Sequence, residues 1–188
     1  MNYTNRLFFL IAACLISTYS KADHGPNGYH IASNHGKWGS FYSTTIAGAA
    51  TANSDGSGVM LLCNVDTNNC HMRLDLLGFC THNGTLPITI SIDGKPSHNV
   101  DFSCMGSPVK NLPEINQSVL ISNFNTDLHA KMQKGNEIEF FAVDQKGSKV
   151  TMRASLTGYT AATNAMIDIF SSVINSRSKN DYLGQFID

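Results

Sequence analysis

From Trp38 onward, short runs in which apolar and polar residues alternate are separated by clusters of Gly, Asn, Asp and Ser. In Leu86–Asp93, Ile88, Ile90 and Ile92 fall on one face and Thr89 and Ser91 on the other. A period of two is that of a half-buried β-strand, whose successive side chains point to opposite sides. In Glu137–Val143, Ile138, Phe140 and Ala142 alternate with Glu137, Glu139 and Phe141. Val59–Val65 and Cys70–Leu76 flank Asp66-Thr67-Asn68-Asn69, a connection that predicts a hairpin. Trp38–Ile46, Asn99–Cys104, Ser118–Ser122 and Lys149–Ser155 bring the predicted strands to about eight. Asp93-Gly94-Lys95-Pro96 is a turn by composition, with Gly94 supplying a positive φ.

Two stretches change period. Asn125–Lys134 places Leu128 and Met132 four apart and stops at Gly135, which predicts a short helix with its usual terminator. Thr157–Ile174 carries Tyr159, Ala162, Met166, Phe170 and Val173 on one helical face, a stripe suited to packing on a sheet. Gly158, between the last strand and this helix, lets the two approach closely. Together these elements predict a mainly β, single-domain antiparallel β-sandwich with one short helix and a C-terminal amphipathic helix. The predicted organisation is a secretory signal over 1–22, a flexible lead-in over 23–37, the sandwich with its closing helix over 38–175, and a polar tail over 176–188.

The signal is read from a polar start with Arg6, the apolar run Leu7–Ile16, and Ser20 and Ala22 ahead of Asp23. Ten apolar residues are too few to cross a bilayer, which takes about 20, and small residues at −3 and −1 suit signal peptidase. Ile11-Ala12-Ala13-Cys14 also resembles a lipobox, so lipidation of Cys14 and an outer-membrane lipoprotein form the alternative. Cleavage before Asp23 leaves Cys63, Cys70, Cys80 and Cys104, an even set that predicts two disulfides in an exported protein. Four cysteines allow three pairings; Cys63–Cys70 across the hairpin and Cys80–Cys104 across the next strands are favoured. Their spacings contain no C-x-x-C, which argues against zinc. The expected location is the periplasm or the exterior, with no transmembrane segment after signal cleavage.

Composition narrows the function. Of 188 residues 14% are charged and the net charge is −1, with Lys and Arg scattered singly, so no basic face is available for nucleic acid. No G-x-S-x-G, H-E-x-x-H, P-loop or G-x-G-x-x-G occurs. Oxidised cysteines leave no thiolate nucleophile. Glu137 and Glu139 share a strand face, where solvated carboxylates are commoner than an acid/base pair. His24, His30 and His35 are the candidate metal ligands, since imidazole suits Cu²⁺ and Zn²⁺. Converging them from a Gly-rich leader costs entropy, so no metal and no cofactor are expected. His71, His82, His98 and His129 stand singly near turns and strand ends and are read as surface residues.

The order of features carries a family likeness. Trp38 with its Gly/Ser/Thr-rich strand precedes a Cys-bearing strand; Ile88–Cys104, ITISIDGKPSHNVDFSC, follows. Then come a short helix with Leu128 and Met132, Gly135, strand Ile138–Val143, and Ala154-Ser155-Leu156-Thr157-Gly158-Tyr159 entering a helix with Ala161 and Ala162. This resembles the invasion-associated locus B family of small secreted bacterial proteins over roughly Trp38–Ala162. It is also similar to VasI-type periplasmic proteins linked to type VI secretion, which share the closing strand-Leu-x-Gly-helix. The Gly-Cys pair that the former family often carries has no counterpart soon after Cys104. The resemblance implies a periplasmic β-sandwich without catalytic residues, associated with host interaction or the cell envelope. The expected function is therefore a non-enzymatic module binding another protein at the envelope or host surface, by its loops or an edge strand. A secretion-machine accessory or periplasmic immunity protein, and an enzyme with an unfamiliar site, are the alternatives.

Overall fold

The described residues form ten strands and two helices. The computed structural model describes residues 29–77, 83–109, 112–144 and 146–184, without the side chains of 77, 105–109, 112–119 and 177–184. The predicted signal, Cys14, His24, Cys80 and His82 lie outside the described residues. The chain divides into Met1–His30 and Ile31–Asp188.

The strands are β1 (His30–His35), β2 (Trp38–Tyr42), β3 (Ile46–Ala52), β4 (Gly58–Asn64), β5 (Asn69–Leu77), β6 (Gly84–Ile92), β7 (Lys95–Val109), β8 (Leu112–Asn123), β9 (Glu137–Val143) and β10 (Lys149–Ser155). Helix α1 spans Thr126–Met132 and α2 spans Tyr159–Gly184. The strands form one sheet in the order β1-β2-β3-β4-β5-β8-β7-β6-β9-β10. The fold is mainly β and antiparallel, as expected; the described residues form ten strands, rather than about eight, in one continuous hydrogen-bonded sheet. Alternation tells which side chains face inward, but not which strand is the neighbour, and so does not separate one curled sheet from two stacked ones. Two further differences concern the ends. β1 forms within the expected lead-in, and α2 runs on to Gly184 through the expected tail.

The core follows the predicted alternation. Ile88, Ile90, Ile138, Phe140, Met152 and Ala154 point inward from β6, β9 and β10, joined by Val59, Leu61, Met72, Leu74, Phe102 and Leu120 from the other strands. Burying each large aliphatic side chain contributes about 1.5–3 kcal/mol. Gly48 on β3 lies opposite Phe41 on β2, and a Cβ there would stand 2.3 Å from the Phe41 ring. The missing side chain is what lets that ring lie across the strand. Cys63 and Cys70 face each other across the β4–β5 hairpin and are disulfide-bonded.

Helix α1 begins at Asn125, whose side chain accepts a hydrogen bond from Leu128 N at 2.9 Å, satisfying a first-turn donor. Leu128 and Met132 are its buried residues. Helix α2 packs through Tyr159, Ala162, Thr163 and Met166; the Thr163 hydroxyl donates to Tyr159 O within the helix. The turn between β6 and β7 places both Asp93 (φ 50°) and Gly94 (φ 73°) in the left-handed region. Asp93 also ties that turn to β9, because its Oδ1 accepts from Asn136 N and Glu137 N at 2.9 Å each. These bonds hold its carboxyl below the usual range.

Candidate functional site: an open strand edge above a cleft

The last strand of the sheet, β10, pairs only with β9 among the described residues. Leu156 N donates to Asn136 O and Asp144 N to Ser148 O, both at 2.8 Å, at the two ends of this ladder. In an antiparallel pair such bonds recur at every second residue. The even-numbered residues of β10 therefore bond to β9, and Lys149, Thr151, Arg153 and Ser155 turn their backbone groups outward.

One end of this outward edge is stitched to the rest of the fold. The Trp38 indole Nε1 donates to Ser155 O at 2.7 Å, and Asn53 Nδ2 donates to Arg153 O at 2.9 Å. Just beyond, Lys37 N donates to Thr157 O at 3.1 Å. Gly158, at φ 90°, is pressed so close to β1 that a Cβ on it would stand 1.6 Å from His35 O. Trp38 is fully buried and meets the Tyr159 ring edge-on at 4.8 Å between centroids. The Tyr159 hydroxyl shares a 2.6 Å hydrogen bond with His129 Nδ1. Burial raises the Tyr159 pKa and lowers that of His129, so both groups are held neutral.

The other end of the edge is open. Thr151 and Lys149 are exposed, and their outward N–H and C=O groups have no partner among the described residues. Beside them lies a cleft of about 920 Å³, at the upper end of ordinary ligand clefts (~300–1,000 Å³). Asn53, Ser54, Asp55 and Ser57 of the β3–β4 turn form one wall; Val150, Thr151, Met152 and Arg153 form the other. Leu76 and Asp144 complete the lining. Asp55 Oδ1 accepts from Ser57 N at 2.9 Å and from Ser57 Oγ at 2.6 Å, which lowers its pKa. Asp144 Oδ1 accepts from Lys146 N and Ser148 N at 2.9 and 2.7 Å. Neither carboxylate is ion-paired to Lys or Arg among the described residues.

The residues singled out from the sequence behave differently. Glu139 is ion-paired with Arg153 directly opposite on β10, which raises the arginine pKa and engages the carboxylate that an acid/base pair with Glu137 would need. His35 Nε2 bonds to Ser33 Oγ at 2.7 Å. His30 falls in the other unit of the chain and His24 outside the described residues. No group of three or more His, Cys, Asp or Glu is arranged to hold a metal among the described residues. Cys104 is buried and disulfide-bonded, while Cys80 lies outside the described residues.

Three histidines expected at the surface are half-buried. His129 is half-buried against Tyr159, and His71 has its pKa lowered first by burial and then by Arg73. The His98 side chain is only 14% exposed. It bonds to Ser97 Oγ through Nδ1 at 2.8 Å and to Asp127 Oδ2 through Nε2 at 3.0 Å. This has the connectivity of a nucleophile–base–acid relay, but Asp127 is 68% exposed and its Oδ2 also binds Lys131 Nζ at 3.0 Å. A solvated carboxylate already neutralised by lysine fastens α1 to β7; it does not provide the dry electrostatic setting of a catalytic triad. The spacing that would have announced these contacts does not exist, because their partners are 29 and 30 residues away.

No helix among the described residues is long and apolar enough to cross a membrane. No protein-family profile matches the chain, and no curated protein does. Among solved structures, the crystal structure of invasion associated protein B from Bartonella henselae is similar over 73% of this chain and 96% of its own, with a TM-score of 0.54 and 11% identity. The chain is thus a mainly β protein with the fold of invasion associated protein B.

Proposed function

We propose that this protein is an exported, non-enzymatic module that binds another protein at the bacterial cell envelope, using the open edge of β10 as its binding surface. The observation that carries the reading is a strand edge without a partner among the described residues, set beside a cleft. Exposed backbone donors and acceptors are costly to bury unpaired and easily satisfied by a second chain, which makes such an edge a docking element. The disulfide between Cys63 and Cys70 fits an oxidising compartment. Likeness in fold to an invasion associated protein supports an envelope or host-interacting role.

The test is a photo-crosslinking residue at Lys149, whose exposed side chain borders the edge, irradiated in intact cells. One dominant protein adduct is expected, absent when the same residue replaces the exposed Asp168 on α2. Equal, diffuse labelling from both positions overturns the reading.

A further inference from the structure

We propose that the open half of β10 takes, as a further strand, an extended segment that turns apolar residues to the cleft and carboxylates to the opposite face, one of them against Lys149. This rests on the reading of β10 as the protein-binding edge and specifies what binds there.

The geometry selects an extended backbone. The outward groups without a partner among the described residues are the N–H and C=O of Lys149, the N–H and C=O of Thr151 and the N–H of Arg153, placed at every second residue. Groups about 6.6–6.8 Å apart along a line match the repeat of a second β-strand. A helix keeps its own backbone groups satisfied and offers none in return. The caps of Asn53 on Arg153 O and Trp38 on Ser155 O end the ladder, so the added strand is short.

The two faces of the added strand meet different chemistry. Along β10, Val150 and Met152 turn inward while Lys149, Thr151 and Arg153 turn outward. Residues opposite one another in a sheet point to the same side, so the added strand continues both faces. On the inner side Met152 and Leu76 are buried and Val150 is half-buried, an apolar surface within the cleft. Asp55 and Asp144 border the cleft without ion pairs to Lys or Arg among the described residues, and repel a carboxylate turned inward.

On the outer side the two cations of β10 decide. Arg153 is neutralised by Glu139, which stands opposite it on β9. Lys149 stands opposite Val143 and Thr151 opposite Phe141, so β9 sets no carboxylate across from the Lys149 ammonium. That side chain is exposed and has no ion pair among the described residues. A guest carboxylate directly across from it supplies the missing charge, and a guest lysine there is repelled. The same rule disfavours a second copy of this chain. Two β10 strands paired about Thr151 would set Lys149 opposite Arg153 twice.

The experiment titrates the intact protein with an end-blocked alternating Val–Glu hexapeptide and follows backbone amide resonances. Saturable shifts at Lys149, Thr151 and Arg153 are expected, with a Val–Lys hexapeptide binding roughly fivefold or more weakly. Lys149→Glu should weaken the Val–Glu peptide by about the same factor and tighten the Val–Lys peptide. Methylating the peptide nitrogens that face β10 should abolish binding to the unaltered protein, which makes the test independent of any variant's folding. Equal binding of both hexapeptides, preference for Val–Lys, no saturable shift with either, indifference to methylation, or shifts confined to another surface overturns the proposal. A β10-mediated dimer seen by light scattering overturns it as well. The crosslinker at Lys149 removes the ammonium but keeps the backbone ladder, so it reports edge binding separately. If that crosslink persists while peptide charge has no effect, protein binding at the edge stands and the acidic guest falls.

Discussion

The two halves of β10 differ in how the same backbone is satisfied. From Arg153 to Gly158 every outward carbonyl described above has a partner from a distant element: Asn53, Trp38 or Lys37. From Lys149 to Thr151 the same strand, in the same register with β9, has none among the described residues. Strand propensity does not separate them, for Lys149–Ser155 alternates evenly throughout. What separates them is whether a donor from a remote segment, the Asn53 or Trp38 side chain or the Lys37 backbone, reaches the edge. Closure is thus a local event, and the unclosed half is where the fold keeps backbone groups available to another chain.

The comparison is broken most severely at its tightest contact. Gly158→Ala places a methyl group inside His35 O at a positive φ, and should cost about 3–5 kcal/mol, read as a shift in the urea midpoint. An unchanged midpoint would mean the junction is looser than described. Trp38→Phe keeps most of the buried ring but removes the donor to Ser155 O; about 1–3 kcal/mol should be lost for the carbonyl left unpaired. The stitched half should then open more often, read as faster exchange of the Leu156 amide, which donates to Asn136 O at the end of the ladder.

A third prediction uses pH. Burial lowers the His129 pKa in the folded protein, so the unfolded chain takes up the proton first. The stability tied to its neutral form is present above about pH 6.5 and is lost as pH falls below it, toward the folded value. His71 acts in the same direction. Asp55, Asp93 and Asp127, whose pKa values are lowered, contribute stability above about pH 4 that is lost only at more acidic pH. Urea midpoints between pH 8 and 5 should therefore fall, and His129→Gln should flatten part of that fall. The smallest effect belongs to the open half. Thr151→Pro removes an N–H that bonds to nothing in β9, so stability should change by no more than about 0.5 kcal/mol while the crosslink at Lys149 disappears.

Much of the fold was legible locally. The period-two runs at Ile88–Ile92 and Ile138–Ala142 are strands with those residues inside, and the Asp66–Asn69 connection is the β4–β5 hairpin that brings Cys63 opposite Cys70. Tyr159, Ala162 and Met166 are the buried face of α2, as their spacing requires. Gly158 is needed for close approach, though the element it approaches, the end of β1, lay in a stretch read as flexible. The candidate site was far less legible. An edge strand was anticipated as a class of binding surface, but the alternation in Lys149–Ser155 does not distinguish it from β6, which has a neighbour on each side. The half-burial of His71, His98 and His129 was hidden for a related reason: it comes from helices and strands far along the chain.

Side-chain periodicity, turn residues and cysteine spacing are properties of neighbours in sequence, and they determine which segments extend, which coil, and which face of each is buried. Strand order is not such a property. That β10 ends the sheet, that Trp38 and Asn53 cap half of its edge, and that Leu76, Asp55 and Asp144 surround the other half were decided only when segments up to 117 residues apart came together. Backbone donors and acceptors are chemically identical in every strand, so only the tertiary structure says which of them are left without a partner.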